Sequence, residues 1–185
     1  MSENNAKNTD SFQENTEGGY LVKRFTGCDP EFHPVFSPDG SRLVYLEKDS
    51  VLLMVDTTGK TLATLQGHTD YVQQVAFSPD STHRIATCGN DGAVLLFDYN
   101  GHFLKKMKQN TEGVIKRVIF SNNGARLLSV GNKCCVFDVA TTKTLCQFTP
   151  DALVVDAVFK NDDILTLIDG SNNNHHTIVG GRCGV

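Results

Sequence analysis

Short apolar runs separated by turn residues dominate most of the chain. In the region where this pattern is clearest, runs rich in Val, Ile, Leu and Phe cover residues 71–77, 84–88, 93–98 and 103–107. Such runs, bounded by Gly, Asn, Asp and Pro, are typical of β-strands. No stretch sustains the periodicity of about 3.6 residues that marks an amphipathic helix. The pattern therefore predicts an all-β chain.

The connections between these runs carry residues that tight turns require. Ser78-Pro79-Asp80 follows the first run, and Pro fixes φ for position i+1 of a type I turn. Asn90-Asp91-Gly92 and Asn100-Gly101 tolerate the positive φ of short hairpin turns. Val72 and Val75 break the strand period of two, which predicts a β-bulge or the strand's entry there.

The same pattern recurs along the chain with a period near 40 residues. An apolar-Phe-turn motif repeats at intervals of 41, 43 and 39 residues, at Phe36, Phe77, Phe120 and Phe159. An arginine that begins the next apolar run recurs every 42 residues, at Arg42, Arg84 and Arg126. Two unrelated markers with one period indicate tandem supersecondary units. Four short antiparallel strands in each unit predict the blades of a β-propeller.

The second unit carries a set of motifs at fixed places: Gly67-His68, Val72, Val75, Phe77-Ser78-Pro79-Asp80, Asp91-Gly92 and Phe97-Asp98. With these motifs it resembles the WD-repeat family. The resemblance is strongest in this unit and covers about residues 19 to 168. The chain contains no Trp, so Phe97-Asp98 stands where the family usually has Trp-Asp.

In that family a His, a strand Ser or Thr, a turn Asp and the Trp form a buried hydrogen-bonded set. The resemblance implies that His68, Thr87 and Asp91 form what remains of this set here, since Phe97 offers no donor. Their expected role is structural rather than catalytic. In the third unit Thr111 stands where His68 would align.

The arithmetic of the repeats predicts an incomplete ring. We expect a disordered polar tail over residues 1–18, WD-like blades over 19–168 and an irregular tail over 169–185. Residues 19–168 supply three complete four-stranded blades and the start of a fourth, whereas propellers close with 4 to 8 blades. Residues 19–25 resemble the outermost strand that such propellers donate to their last blade. The ring is therefore expected to be completed by missing sequence or by another chain.

Charge and terminal sequence bear on the compartment. The chain has 17 Lys and Arg against 21 Asp and Glu, a net charge of −4 that gives no general field for a polyanion. The first residues lack the basic head and apolar segment of a secretory signal, and the longest aliphatic run is too short for a membrane helix. Six cysteines without a CxxC pair favour free thiols in a reducing compartment. We expect an intracellular protein with no membrane contact.

No motif for catalysis, a cofactor or a metal is found. The chain lacks GxSxG, HExxH, GxxxxGK[ST] and GxGxxG, so we expect neither an enzyme nor a cofactor. Asp162-Asp163 occupies a turn position and is interpreted as a turn former. The group His175, His176 and Cys183 is either a metal site or, as we prefer, a flexible polar tail.

One local basic surface has two interpretations. It consists of Lys105, Lys106, Lys108, Lys116 and Arg117. These side chains could contact phosphate, including that of RNA, locally or indirectly. They could equally be a solvated edge strand whose lysines discourage aggregation, which is the interpretation we favour.

A propeller without catalytic residues predicts an interaction scaffold whose partners are other proteins in a multisubunit assembly. The long first turn of the second unit, Cys88 and Asp98-Tyr99 resemble the N-terminal propeller of WD-repeat subunits of the small-subunit processome. This resemblance implies ribosome biogenesis in the nucleolus; otherwise we expect the cytoplasm or nucleus. The alternatives are a propeller domain of a prolyl-oligopeptidase-type hydrolase and a signalling or ubiquitin-ligase adaptor.

The predicted partner surface lies on the loops before each first strand and between the second and third strands, which share one end of a propeller. In the second unit these loops contribute Thr69, Tyr71 and Asn90. Tyr71 has the size and hydrogen-bonding capacity of an interface hot spot, but it could instead pack against the adjoining blade.

Overall fold

The computed structural model describes residues 13–17, 20–24, 29, 31–108, 113–150, 154–161, 164–169 and 175–179. All regular structure in these residues is β. Two strands precede the repeats: β1 (Gln13–Glu17) and β2 (Tyr20–Arg24). The repeats contain fifteen further strands in four antiparallel sheets.

Three of these sheets have four strands each, in sequence order across the sheet. The first blade comprises β3 (Val35–Phe36), β4 (Arg42–Lys48), β5 (Val51–Asp56) and β6 (Thr61–Leu65). The second comprises β7 (Val72–Phe77), β8 (Ile85–Gly89), β9 (Ala93–Phe97) and β10 (Phe103–Lys108). The third comprises β11 (Ile115–Phe120), β12 (Arg126–Gly131), β13 (Cys134–Asp138) and β14 (Thr144–Phe148).

A fourth sheet has three strands, β15 (Val154–Asn161), β16 (Ile164–Asp169) and β17 (His175–Val179). The prediction of an all-β chain with three four-stranded blades and the start of a fourth is therefore confirmed. The expected bulge is also present, because the register of β7 against β8 shifts between Val72 and Gln74.

The first turn of each complete blade is built in the same way. A buried Ser hydroxyl donates to the Asp or Asn two residues later, in the pairs Ser37–Asp39, Ser78–Asp80 and Ser121–Asn123. In the first and third blades the turn closes on a glycine with positive φ, Gly40 or Gly124. The second blade's longer turn places His83 at φ 45°, a conformation that is uncommon for a residue with a side chain.

Gly124 also fixes how closely neighbouring blades approach. A Cβ at this position would lie 2.5 Å from Oγ of Ser78 and 2.6 Å from Cγ of Asp80, both in the preceding blade. The turn of the third blade therefore rests directly on the turn of the second, and any side chain at Gly124 would force the two apart.

Three apolar cores lie between neighbouring sheets, and a smaller buried cluster lies on the other face of the first blade. Strand alternation gives each sheet two apolar faces. One face of the first blade, including Leu46 and Met54, packs against Leu95 and Phe97 of the second. The other face of the second packs on the third, and the third packs on β15 in the same manner. Stacking therefore buries both faces of the second and third blades, as expected for a repeat fold.

The ends of the repeat region differ in three respects from the sequence prediction. β2, within the segment expected to join a last blade, pairs with β1 in a separate two-stranded sheet. β1 lies within the predicted polar tail, and β17, within the predicted irregular tail, pairs with β16. Backbone pairing therefore extends beyond the segments that the apolar pattern marked, because ladder hydrogen bonds do not require apolar side chains. Asp162-Asp163 and Cys183 lie outside the described residues.

The cysteines follow the expectation only in part. Cys88, Cys134 and Cys135 are free and buried. Cys146, on β14, is disulfide-bonded. The prediction of free thiols is therefore wrong for Cys146, because sequence spacing does not reveal which thiols a fold brings within bonding distance.

Candidate functional site

The loop that enters the second blade is fastened to it by His68. Nδ1 of His68 lies 2.9 Å from Oδ1 of Asp91, in the β8–β9 turn, and Nε2 lies 2.8 Å from Oγ1 of Thr87, on β8. A carboxylate only accepts, so Nδ1 carries the proton and donates to Asp91, while Nε2 accepts from the Thr87 hydroxyl. The structure thus brings together all three residues that the resemblance singled out.

Asp91 is the most connected member of this set. Its carboxylate also accepts from the backbone N–H groups of Thr69 and Ala93, at 3.2 and 3.1 Å. Nζ of Lys106, on the outer strand β10, lies 3.9 Å from Oδ2. The carboxylate therefore joins the entry loop, the β8–β9 turn and the outermost strand of one blade.

Burial and pairing act against one another on the two titratable groups. Burial lowers the pKa of His68, although the hydrogen bond and charge of Asp91 act in the opposite direction. Burial alone would raise the pKa of Asp91, but the hydrogen bond and charge of His68, together with the backbone N–H bonds from Ala93 and Thr69, outweigh burial and lower this pKa. Near neutral pH the set therefore contains a neutral imidazole beside a carboxylate.

Thr87, His68 and Asp91 follow the same order of contacts as a nucleophile, base and acid in a catalytic triad. Thr87, however, is 0% exposed and His68 is 8% exposed. A nucleophile must reach a substrate carbonyl, and this hydroxyl is enclosed by the blade. The arrangement therefore supports a structural role.

Phe97 occupies the place of the family's Trp within the core between the first and second blades. It is 1% exposed, and the ring of Phe103 meets it edge-on at 5.8 Å between centroids. Phe97 supplies volume and aromatic packing but no hydrogen bond. Hydrophobic burial therefore replaces the fourth polar member of the set.

The three predicted partner-surface residues meet at one end of the second blade. The Asn90 N–H donates to the Tyr71 carbonyl at 2.9 Å, which joins the loop before β7 to the β8–β9 turn. Thr69 is exposed, and the half-buried Asn90 accepts a hydrogen bond from Gln73.

Tyr71 is half-buried and packs against the core between the first two blades. Burial raises the pKa of Tyr71, and so do the charge of Asp29 and the hydrogen bond to that carboxylate. Tyr71 therefore makes contacts with the first blade as well as lying beside the exposed loop residues.

Sequence reasoning missed a second polar group, which joins the first blade to the second at the opposite ends of their strands. The Arg42 guanidinium lies 3.7 Å from the centre of the Tyr99 ring and donates to the Tyr99 carbonyl. The Tyr99 hydroxyl donates to Asp39 at 2.7 Å and lies 2.8 Å from Oγ of Ser41. The hydrogen bonds from Ser37 and Tyr99 hold the pKa of Asp39 well below its usual range. The arginine that recurs every 42 residues was the available signal in the sequence. The contact of Arg42 with Tyr99 in the next blade, however, could be seen only in the folded structure.

Within the described residues, no group of three or more His, Cys, Asp or Glu side chains is placed to hold a metal ion. In the same part of the chain, no helix is long and apolar enough to cross a membrane.

Four-stranded antiparallel units stacked through shared apolar faces define the class as β-propeller blades. Comparison with known proteins agrees and is more specific. Residues 59–98, which contain β6 to β9 and the His68 set, match the family described as WD domain, G-beta repeat.

Similar proteins carry the same type of repeat. WD repeat-containing protein 75 of Danio rerio is 33% identical over 79 residues, which are 42% of this chain and 10% of that protein. The Mus musculus protein of the same name is 32% identical over 84 residues, which are 45% of this chain and 10% of that protein. A WD repeat-containing protein of Synechocystis sp., sll1491, is 29% identical over 94 residues, covering 50% of this chain and 27% of that protein.

The aligned chain thus spans about a tenth of the two vertebrate relatives. The resemblance to the WD-repeat family is confirmed, and the family model matches residues 59–98. WD-repeat domains generally provide surfaces for binding other proteins.

Proposed function

We propose that this chain is a non-catalytic WD-repeat scaffold that binds other proteins within a multisubunit assembly. The observation that carries the proposal is the His68 set, whose hydrogen bonds hold the loop before β7 in place. That loop presents Thr69 beside Tyr71 and Asn90 on a rigid blade, and rigid presentation lowers the entropy lost on binding.

The assembly we propose is the small-subunit processome, in the nucleolus. Support comes from the long turn that ends at His83, from Cys88 and from Asp98-Tyr99, which resemble its N-terminal propellers. Contact with pre-ribosomal RNA would be local or indirect, since the net charge is −4.

Affinity purification from the source cell with mass spectrometry tests this assignment. Co-purification of small-subunit processome proteins is the expected result. Recovery of signalling or ubiquitin-ligase components, or of an α/β-hydrolase partner, would contradict the assignment and favour one of the alternatives.

The partner surface is tested by a double variant, Thr69→Glu with Asn90→Lys. We expect loss of co-purifying proteins with little change in melting temperature, because both positions border solvent. The matched control is Thr144→Glu, on the exposed edge of the third blade, which should retain partners. Equal retention by the double variant and the control would exclude this surface.

Tyr71→Ala separates binding from packing at the same site. Loss of partners at unchanged stability supports a role in the interface. A lowered melting temperature with binding retained in the folded fraction assigns Tyr71 to packing between blades.

We also propose that the ring is completed by further sequence or by another chain. The support is the number of sheets: the repeats form three four-stranded sheets and one three-stranded sheet, whereas propellers close with 4 to 8 blades. Sedimentation of the 185-residue chain should show self-association at micromolar concentration. A compact monomer that melts cooperatively would contradict the proposal.

A further inference from the structure

The outer strand of the second blade, β10, has an open edge. β6, β10 and β14 each form the outer edge of a four-stranded sheet. Within the described residues, β10 pairs with β9 on one side and with no strand on the other. Its outer edge therefore presents backbone N–H and C=O groups that another strand can pair with.

All three outer strands expose a leucine at the equivalent position. Leu62 is 41%, Leu104 45% and Leu145 43% exposed. Only β10 adds a second large apolar side chain beside it, since Phe103 is 54% exposed. Phe103 packs against Phe97 on one side, but it still exposes 54% of its surface beside Leu104, and two adjacent exposed apolar residues are unfavourable in water.

Charge also separates β10 from the other outer strands. Its sequence is FLKKMK, whereas β6 reads TLATL and β14 reads TLCQF, neither with a charged residue. Lys105 and Lys106 are both exposed. Lys106 lies near Asp91, whereas no ion pair is recorded for Lys105 within the described part of the chain.

A bulge distributes these side chains around the strand. The register of β10 against β9 shifts between Phe103 and Lys105, which leaves Leu104 unpaired. Phe103 and Lys106 consequently lie on one face, while Lys105 lies on the other. Apolar and cationic groups therefore flank the open edge on both faces.

We propose that β10 binds an extended, acidic segment of a partner protein, which adds to the second blade as a fifth strand. Backbone pairing would supply the docking geometry, Phe103 and Leu104 would receive apolar side chains, and the lysines would select carboxylates. This surface goes beyond the proposed one at Thr69, Tyr71 and Asn90, because it lies on a different strand of the blade.

Two other occupants fit the surface less well. A second copy of β10 would bring lysines opposite lysines across the new pair, which is unfavourable. A nucleic acid would need several unshared cations, yet Lys106 already lies 3.9 Å from the Asp91 carboxylate. An acidic strand needs few charges, because its backbone bonds do not depend on them.

The test uses the full chain and a fluorescent peptide of about eight residues with alternating Glu and Val, the length of an ordinary strand. We expect binding by anisotropy, together with slower amide exchange at residues 103–107. Lys105→Glu should weaken binding about tenfold, by replacing attraction with repulsion. Leu104→Ser should weaken it about fivefold, by removing apolar contact.

Matched controls carry the same substitutions on the third blade. Leu145→Ser changes the equivalent leucine of β14, and Lys143→Glu changes an exposed lysine beside that strand. Both should bind the peptide like the unaltered chain. If Lys105→Glu proves unstable, Lys105→Gln removes the charge with less disturbance and should weaken binding in the same direction.

Several results would overturn the proposal. These are failure of the Glu-Val peptide to bind, equal binding of a Lys-Val peptide, or equal effects of the test and control variants. Binding of oligouridylate in place of the peptide would assign the surface to RNA, and a dimer lost in Lys105→Glu would assign it to a second copy. The Thr69→Glu, Asn90→Lys variant should still bind the peptide, because the surface on β10 is separate from the surface at Thr69, Tyr71 and Asn90. Loss of peptide binding in this variant would contradict that separation.

Discussion

The second and third blades have the same strand order but are reinforced differently. In the second, Thr87 lies opposite Val75 and its hydroxyl bonds His68. In the third, Ser129 lies opposite Val118 at the equivalent place, and its hydroxyl bonds the carbonyl of Cys135 at 3.4 Å. In the second blade this position therefore fastens the entry loop, and in the third blade it makes a bond to its own sheet.

The comparison shows that the polar set is not what makes a blade. The third blade forms all four strands with its β12–β13 turn built from Asn132 and Lys133, without an aspartate. What the two blades share is the apolar core on each face. The His68 set adds local rigidity to a structure that hydrophobic stacking already determines.

The largest expected effect tests this shared basis. Phe97 and Phe137 are equivalent, and each is 1% exposed. Replacing either by Ala should lower the free energy of unfolding by about 3–5 kcal/mol, through lost burial and a residual cavity. Urea unfolding measures both. Phe36→Ala, at a position 63% exposed, is the control and should have a small effect. A markedly smaller loss in either core variant would show that the blades do not depend equally on stacking.

The next effect should separate the two blades. His68→Ala leaves the polar groups of Asp91 and Thr87 without a partner and should cost about 1–3 kcal/mol. Ser129→Ala removes a hydroxyl whose bond to the Cys135 carbonyl is long, at 3.4 Å, and should cost about 0.5–1.5 kcal/mol. Thermal melting of the two variants under one condition provides the measurement. A larger loss in Ser129→Ala would reverse our interpretation of the comparison.

His68 of the second blade should make the stability of the chain depend on pH. The pKa of His68 is lowered in the folded chain, so the unfolded chain binds a proton first as pH falls. Stability from this group is complete above the ordinary His pKa of about 6.5 and decreases as pH falls below it. Asp91, whose pKa is also lowered, adds a further loss below about pH 4.

Calorimetry between pH 8 and pH 5 checks this dependence, with both pH limits chosen to lie about 1.5 units either side of the ordinary His pKa. His68→Ala should show a smaller decline in melting temperature over this interval than the unaltered chain. An equal decline in both would place the titration on another group.

The smallest effect concerns the contact between the first two blades. Tyr99→Phe removes the hydroxyl that donates to Asp39, and exposed polar contacts contribute little to stability. We expect a shift in melting temperature below that of His68→Ala. The pKa of Asp39 should move up toward its ordinary value, which NMR titration of the carboxyl would detect. An unchanged pKa would show that the serines alone stabilise the carboxylate.

The strands could be predicted well from the sequence because each one is a short apolar run bounded by turn residues. Both of these signals are local. The bulge at Val72 was predictable for the same reason, since it disturbs a period of two. The His68 set followed from a family resemblance, not from local chemistry.

Contacts between distant segments could not be predicted in this way. Arg42 meets Tyr99 only because two turns, far apart in sequence, reach the same end of neighbouring blades. The disulfide of Cys146 and the pairing of β1 with β2 likewise depend on which segments the fold places together. Exposure of Phe103 and Leu104 was equally hidden, because an apolar run reads the same whether it lies at an edge or in a core.

The contact at Gly124 has a consequence for how the repeats can diverge. Where the third blade rests on Ser78 and Asp80, the separation is determined by the backbone of a residue that has no side chain. The spacing depends on the absence of a side chain at residue 124 and on the side chains of Ser78 and Asp80, and none of these belongs to the His68 set. Repeats can therefore lose a histidine, or have phenylalanine in place of tryptophan, and still stack at the same distance. A single added methyl group at residue 124, in contrast, would push the third blade away from the second.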